Sequence, residues 1–144
     1  MLTKPKGIII HHSLTKDGTV SDFEGIKRYH MEEKGWDDIG YHFLIENMNG
    51  TINICTGRPI NKTGAHTVGH NDCIGVCVVG NFDLAPPDEA HMNTLVQLTL
   101  ALLGQFPYLT PDDIHRHSEY APKSCPGKLF PWDKFISTIR NGGR

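Results

Sequence analysis

Apolar positions near the start of the chain come without alternation. Gly7-Ile8-Ile9-Ile10-His11 is a β-branched run that suits a strand covered on both faces. Ser21 followed by Glu24 is a capping-box pattern. It opens an amphipathic helix with Phe23, Ile26, Tyr29 and His30 on one side and Gly35 beyond its end. Tyr41 to Glu46 and Thr51 to Cys55 flank Asn49-Gly50, a dipeptide suited to a hairpin turn. Cys73 to Gly80 is again apolar at successive positions, which places it centrally in a sheet. Pro86 and Pro87 then open a long helix with Leu95, Val96, Leu98, Leu102 and Leu103 on a broad apolar side and Gly104 as its stop. A last helix runs from about Pro131 to Arg140, ended by Asn141-Gly142-Gly143. Within 144 residues, without repeat or low-complexity tract, this order predicts one α/β domain: a central mixed β-sheet flanked by about three helices.

Bulk composition mainly excludes. Fourteen basic and sixteen acidic residues leave a formal charge of −2, so no global field favours nucleic acid or an anionic membrane. No segment approaches the roughly 18 apolar residues of a membrane span. The apolar run after Lys4 and Lys6 stops at His11, too soon for the core of a signal peptide. The expectation is a monomer made in the cytoplasm, without nucleic-acid partner or membrane insertion, that reaches any extracellular target by a separate route.

Nine histidines and four cysteines change the picture more. Cys55, Cys73, Cys77 and Cys125 are too few and too scattered for a small disulfide framework and read as mostly reduced. His66, His70, Cys73 and Cys77 form a tempting local cluster. If both cysteines lie in that strand, however, four residues separate Cys73 from Cys77 by about 13 Å, too far for one zinc ion with bonds of about 2.3 Å; the cluster survives only if Cys73 precedes the strand. His117 and Cys125 face no such objection, since Pro122 and Pro126 mark the segment between and after them as a stiff loop that can fold both side chains onto one ion. The strand at Ile8 to Ile10 delivers His11 and His12 at its end, where α/β sheets present functional groups. Two histidines and a cysteine leave zinc an open fourth position, the mark of a catalytic site. On spacing alone, each histidine can equally be a buried, hydrogen-bonded residue, and His30, His42, His91 and His115 are read that way.

Five ordered motifs carry a resemblance over nearly the whole chain: Ile9-Ile10-His11-His12-Ser13, Gly35-Trp36-Asp37-Asp38-Ile39-Gly40-Tyr41-His42-Phe43, Gly64-Ala65-His66, Ile74-Gly75-Val76-Cys77-Val78-Val79-Gly80 and Ala121-Pro122-Lys123-Ser124-Cys125-Pro126. The chain resembles the zinc-dependent N-acetylmuramoyl-L-alanine amidases of the type 2 amidase and peptidoglycan recognition protein superfamily, especially its small phage lysozyme-like members. The resemblance implies a groove for a muramyl peptide and hydrolysis of the amide between N-acetylmuramic acid and L-alanine. It implies His11, His117 and Cys125 as ligands of one zinc ion, Tyr41 and Lys123 as catalytic groups, and His66 as a groove residue. His12 becomes a neighbour of the metal shell on the substrate side, and Arg58 a candidate partner for a stem-peptide carboxylate. Cys77 stands where a cytoplasmic branch of the superfamily carries a glutamate base, so the chain is similar to the Tyr and Lys branch. Recognition proteins that bind without cutting, and amidases with an added regulatory role, are the alternatives within the same superfamily. A phage endolysin and a delivered antibacterial effector both fit a short amidase without an export signal.

Overall fold

Three isoleucines start the sheet. In the computed structural model, which describes residues 4–14, 23–48 and 50–144, they form β1 (Ile8–His12), buried along its whole length. Ser21 and Asn49, to which the sequence assigns the first helix cap and the hairpin turn, lie outside the described residues. The remaining strands are β2 (Phe43–Met48), β3 (Thr51–Thr56), β4 (Ile74–Val78) and β5 (Ile114–Arg116). They assemble in the order β3-β2-β4-β1-β5. β1 runs parallel to both β4 and β5, β2 runs parallel to β4, and β2 and β3 form the antiparallel hairpin. The sheet is therefore mixed, as the sequence predicts.

Alternation within the strands sorts the two faces. Ile8, Ile10, Ile45, Ile74, Val76 and Val78 meet the main core with α2 (Glu89–Gln105), through Leu95, Leu98 and Leu102, and α3 (Trp132–Arg140), through Phe135 and Ile139. Leu44 and Cys77 join Ile39, with half-buried Phe23, Ile26 and Tyr41, in a smaller cluster on the other face. Covering both faces explains the unbroken apolar runs of β1 and β4. His11 pairs in register with Cys77, which places it over the smaller cluster at the carboxyl end of the parallel strands.

Several boundaries differ from expectation. The side chain of Asp88 accepts the His91 N–H at 2.8 Å and caps α2, so the helix begins after the two prolines. Gly104 lies inside it, because the chain continues helical to Gln105 before Phe106 closes it. The first helix is α1 (Phe23–Arg28), continued by a π-helical turn at Tyr29–Glu33. That wider turn goes with an inward His30, which is buried and accepts the Gly40 N–H at 2.9 Å. At the other end of α1, the buried Glu46 carboxylate accepts the Phe23 N–H at 2.8 Å. β5 escapes the sequence pattern because its three residues, Ile-His-Arg, carry no period, and its pairing to β1 defines it. All four cysteines are free thiols.

One position in β4 makes room for the site. A Cβ on Gly75 would stand 2.5 Å from the His66 ring, so the imidazole lies against bare backbone. Gly75→Ala is expected to cost about 1–3 kcal/mol through overpacking, seen as a lowered melting temperature. Unchanged stability would show that the ring does not need that space.

Candidate metal centre and cleft

His11 is the penultimate residue of β1, His117 opens the 3-10 turn that follows β5, and Cys125 sits on the loop after it. Among the described residues, one donor atom from each of these three comes within 4.8 Å of the other two. The Cys125 Sγ is 3.7 Å from His11 Nδ1. A tetrahedral zinc with Zn–S and Zn–N bonds of about 2.3 and 2.0 Å sets its S and N ligands roughly 3.5 Å apart, so the residues present fit such an ion. The Ser118 N–H donates to the Cys125 carbonyl at 2.9 Å, which ties the turn carrying His117 to the loop carrying the thiol. The His12 backbone N–H points at Cys125 Sγ at 3.4 Å.

Hydrogen bonds decide which nitrogen of His11 is available. The Cys73 carbonyl can only accept, so His66 Nε2, 2.9 Å away, carries the proton and donates to it. His66 Nδ1 is then an acceptor, and His11 Nε2, 3.0 Å from it, donates. The Thr67 hydroxyl lies beside both nitrogens, at 2.9 Å from His66 and 3.3 Å from His11. His11 is left with its Nδ1 lone pair facing the cysteine, the second-sphere orientation common to metal-binding histidines. Burial, helped by neighbouring His66 and His117, holds the His11 imidazolium pKa well below its usual range, and burial brings that of His66 down to about 3. Burial also pushes the Cys125 thiol up to about 11, against the pull of the His12 N–H and Lys123. Without an ion the trio is neutral, and a bound cation would supply the charge that stabilises a thiolate.

A cleft of about 430 Å³ opens over these donors. Its far wall comes from the π turn and the segment after it, including Tyr29, His30, Lys34 and Trp36. The Tyr41 ring lies 5.2 Å from His11 and 5.7 Å from His30. Burial, then the Cys77 and Cys125 sulfurs, raise the Tyr41 phenol well above its usual pKa. Among the described residues, two lysines (Lys34 and Lys123) and no carboxylate line the cleft, although the whole chain is net negative.

Residues 1–128 match the sequence profile of the N-acetylmuramoyl-L-alanine amidase family (Amidase_2). The chain belongs to this amidase family. It is 35% identical to the endolysin of Escherichia phage T7 over 125 residues, covering 83% of this chain and 78% of that protein. It is 31% identical to the human N-acetylmuramoyl-L-alanine amidase over 155 residues, covering 97% of this chain but only 26% of the human protein's length. Among solved structures, N-acetylmuramoyl-L-alanine amidase LysC from Clostridium intestinale URNW superposes with a TM-score of 0.81 at 31% identity, covering 95% of this chain and 86% of LysC.

Within this amidase-family fold, the expected site residues fall in different places. His11, His117 and Cys125 converge, with Tyr41 and Lys123 on the same cleft. His66 also lines it, yet both its ring nitrogens are spent on His11, Thr67 and Cys73. His12 contributes its backbone to the metal side, while its ring Nδ1 accepts the Phe82 N–H at 3.1 Å. Arg58, expected to face a substrate carboxylate, instead lies outside the cleft. Its guanidinium donates to the carbonyls of Ile39 (2.8 Å) and Thr63 (3.1 Å) and approaches Asp37 at 3.5 Å. His70, from the rejected local cluster, stacks on Tyr120 at 3.7 Å between ring centroids. Lys34 and Thr67 were not singled out from sequence, since a surface lysine and a threonine after a histidine carry no distinguishing pattern.

Replacing His66 by alanine frees the His11 tautomer, and zinc affinity is expected to fall by about 10- to 100-fold, measured by competition with a chelator. Acid is expected to weaken the metal-free protein through its buried histidines. His30 is brought down to about 4 by burial, with Lys34 and Arg58 adding to the shift, and burial lowers His42 too. The unfolded chain therefore takes protons first as pH drops below about 6.5, and stability falls from there towards pH 4 by at most about 1.4 kcal/mol per pH unit through His30, with His42 acting in the same direction. Urea unfolding of metal-free protein from pH 7 to 4 measures this, and a flat profile would contradict it.

Proposed function

We propose that the chain is a zinc-dependent N-acetylmuramoyl-L-alanine amidase, cleaving the amide between the lactyl group of N-acetylmuramic acid and the L-alanine of the peptidoglycan stem peptide. The observation that carries it is the convergence of His11, His117 and Cys125 at the floor of a cationic cleft, in a chain of the amidase family. Zinc held there supplies Lewis acidity to a water nucleophile and to the scissile carbonyl.

The remaining work belongs to the chain's own groups. Lys123 stands at the mouth of the cleft, two residues from Cys125, where its ammonium can face negative charge developing on the carbonyl oxygen. Tyr41 is held neutral by burial, which suits a phenol that donates a hydrogen bond to the reacting oxygen. Lys34 adds a second cation along the wall, favourable for a peptide that carries free carboxylates. Recognition without cleavage fits less well, because the two histidines and the cysteine are all in place with an unspent lone pair on His11. Likeness to a phage endolysin supports action on the cell wall.

Digestion of purified peptidoglycan is expected to liberate new L-alanine amino groups without new reducing sugar ends. Reducing ends would make the protein a glycosidase and sink the proposal. Cys125→Ser is expected to lose both zinc and turnover. Lys123→Ala is expected to keep zinc and lose on the order of 100- to 1000-fold in kcat, read from metal content and steady-state rates.

A further inference from the structure

Beyond the donors themselves, the loop bearing Cys125 is gripped from outside by the turn that follows β4. One Asp83 oxygen accepts the Ser124 hydroxyl at 2.7 Å and the other accepts the Lys128 N–H at 2.8 Å. These bonds fall on either side of Cys125, so one carboxylate spans the segment that carries the thiol. Neighbouring Phe82 adds to the grip. Its carbonyl accepts the Leu129 N–H at 2.8 Å, and its own N–H donates to His12 Nδ1 at 3.1 Å. The loop also packs so tightly here that a Cβ on Gly127 would stand 2.5 Å from the Phe82 carbonyl carbon. The Asp83 turn is itself shaped by Asn81, whose side-chain oxygen accepts the Asp83 N–H at 3.1 Å. The Lys128 N–H and the Ser124 hydroxyl hold the Asp83 carboxyl below the usual carboxylate range, which keeps it an acceptor at both oxygens.

We infer that Asp83 is a positioning residue for the metal-binding loop, fixing Cys125 against His11 and holding Lys123 over the cleft through Ser124. Metal sites require ligand distances correct to about 0.2 Å, and catalytic groups must be held within about 0.5 Å of their productive place. Main-chain bonds from Ser118 and Leu129 and the His12 N–H reach the loop at other points. The carboxylate adds to them by fastening the residue before the thiol and the third residue after it. Asp83 is not among the residues that line the cleft and acts through the loop.

The inference rests on the zinc amidase reading, so its test reads the metal as well as turnover. Asp83→Ala is expected to weaken zinc binding by about 10- to 100-fold, to displace the thiolate-to-metal absorption band of the cobalt-substituted protein, and to lower kcat more than it raises KM. Ser124→Ala, which removes one of the two bonds and keeps the chain otherwise intact, is expected to shift all three in the same direction by less. Asp88→Ala, at the cap of α2, serves as a control that lowers stability away from the loop and leaves the cobalt band in place. Unchanged zinc affinity, cobalt spectrum and kcat in both loop variants would overturn the assignment of Asp83. So would an equal band shift in Asp88→Ala, which would reduce the effect to general destabilisation. Absence of zinc affinity in the unaltered protein would instead overturn the zinc reading itself.

Discussion

The hydrogen bond from His11 to His66 is the interaction on which the site depends. A strand can bring a histidine to the end of a sheet, but it cannot choose which ring nitrogen faces inward. Here the choice passes along a short chain: the Cys73 carbonyl takes the His66 proton, His66 takes the His11 proton, and the His11 lone pair is left facing Cys125. Each link is buried, where an unmade hydrogen bond costs more than at the surface. The backbone of β4 contributes at the same place, since Gly75 leaves the hollow that His66 fills.

Parallel pairing supplies the rest of the geometry. β1 lies between β4 and β5, so its carboxyl end is flanked by the turn of residues 80–83 and by the turn that presents His117. Segments distant in sequence meet there because both neighbours run in the same direction as β1. The apolar side chains of α2 and α3 bury the opposite face. The site shares the other face with the smaller cluster against which α1 packs.

Much of this was legible before any coordinates. Unbroken apolar runs identified β1 and β4, and the prolines around Cys125 marked a loop able to bring two ligands together. Cys73 precedes β4, which begins at Ile74, rather than lying within it, yet among the described residues neither its thiol nor that of Cys77 joins a metal-binding group; the buried or paired states of His30, His42, His91 and His115 match their reading as hydrogen-bonded residues. What escaped had no one-dimensional trace. Arg58 looked like a groove cation because nothing local announces that the carbonyls of Ile39 and Thr63 would claim it. His66 and Asp83 act through partners far away in sequence, and β5 is too short to show a period.

Glu46 gives the cleft an asymmetry. α1, which leads into the far wall, has no buried residue of its own. A single buried carboxylate on β2 takes up the N–H at its first residue, and half-buried Phe23 and Ile26 complete the attachment. The metal side, by contrast, is continuous with β1 and β4, where every residue is buried. Local opening is cheap where few apolar contacts must be broken and approaches the global unfolding cost in core strands. The two sides of the cleft therefore answer to different energies: His11 keeps its place as long as the sheet is folded, while the opposing wall opens at lower cost.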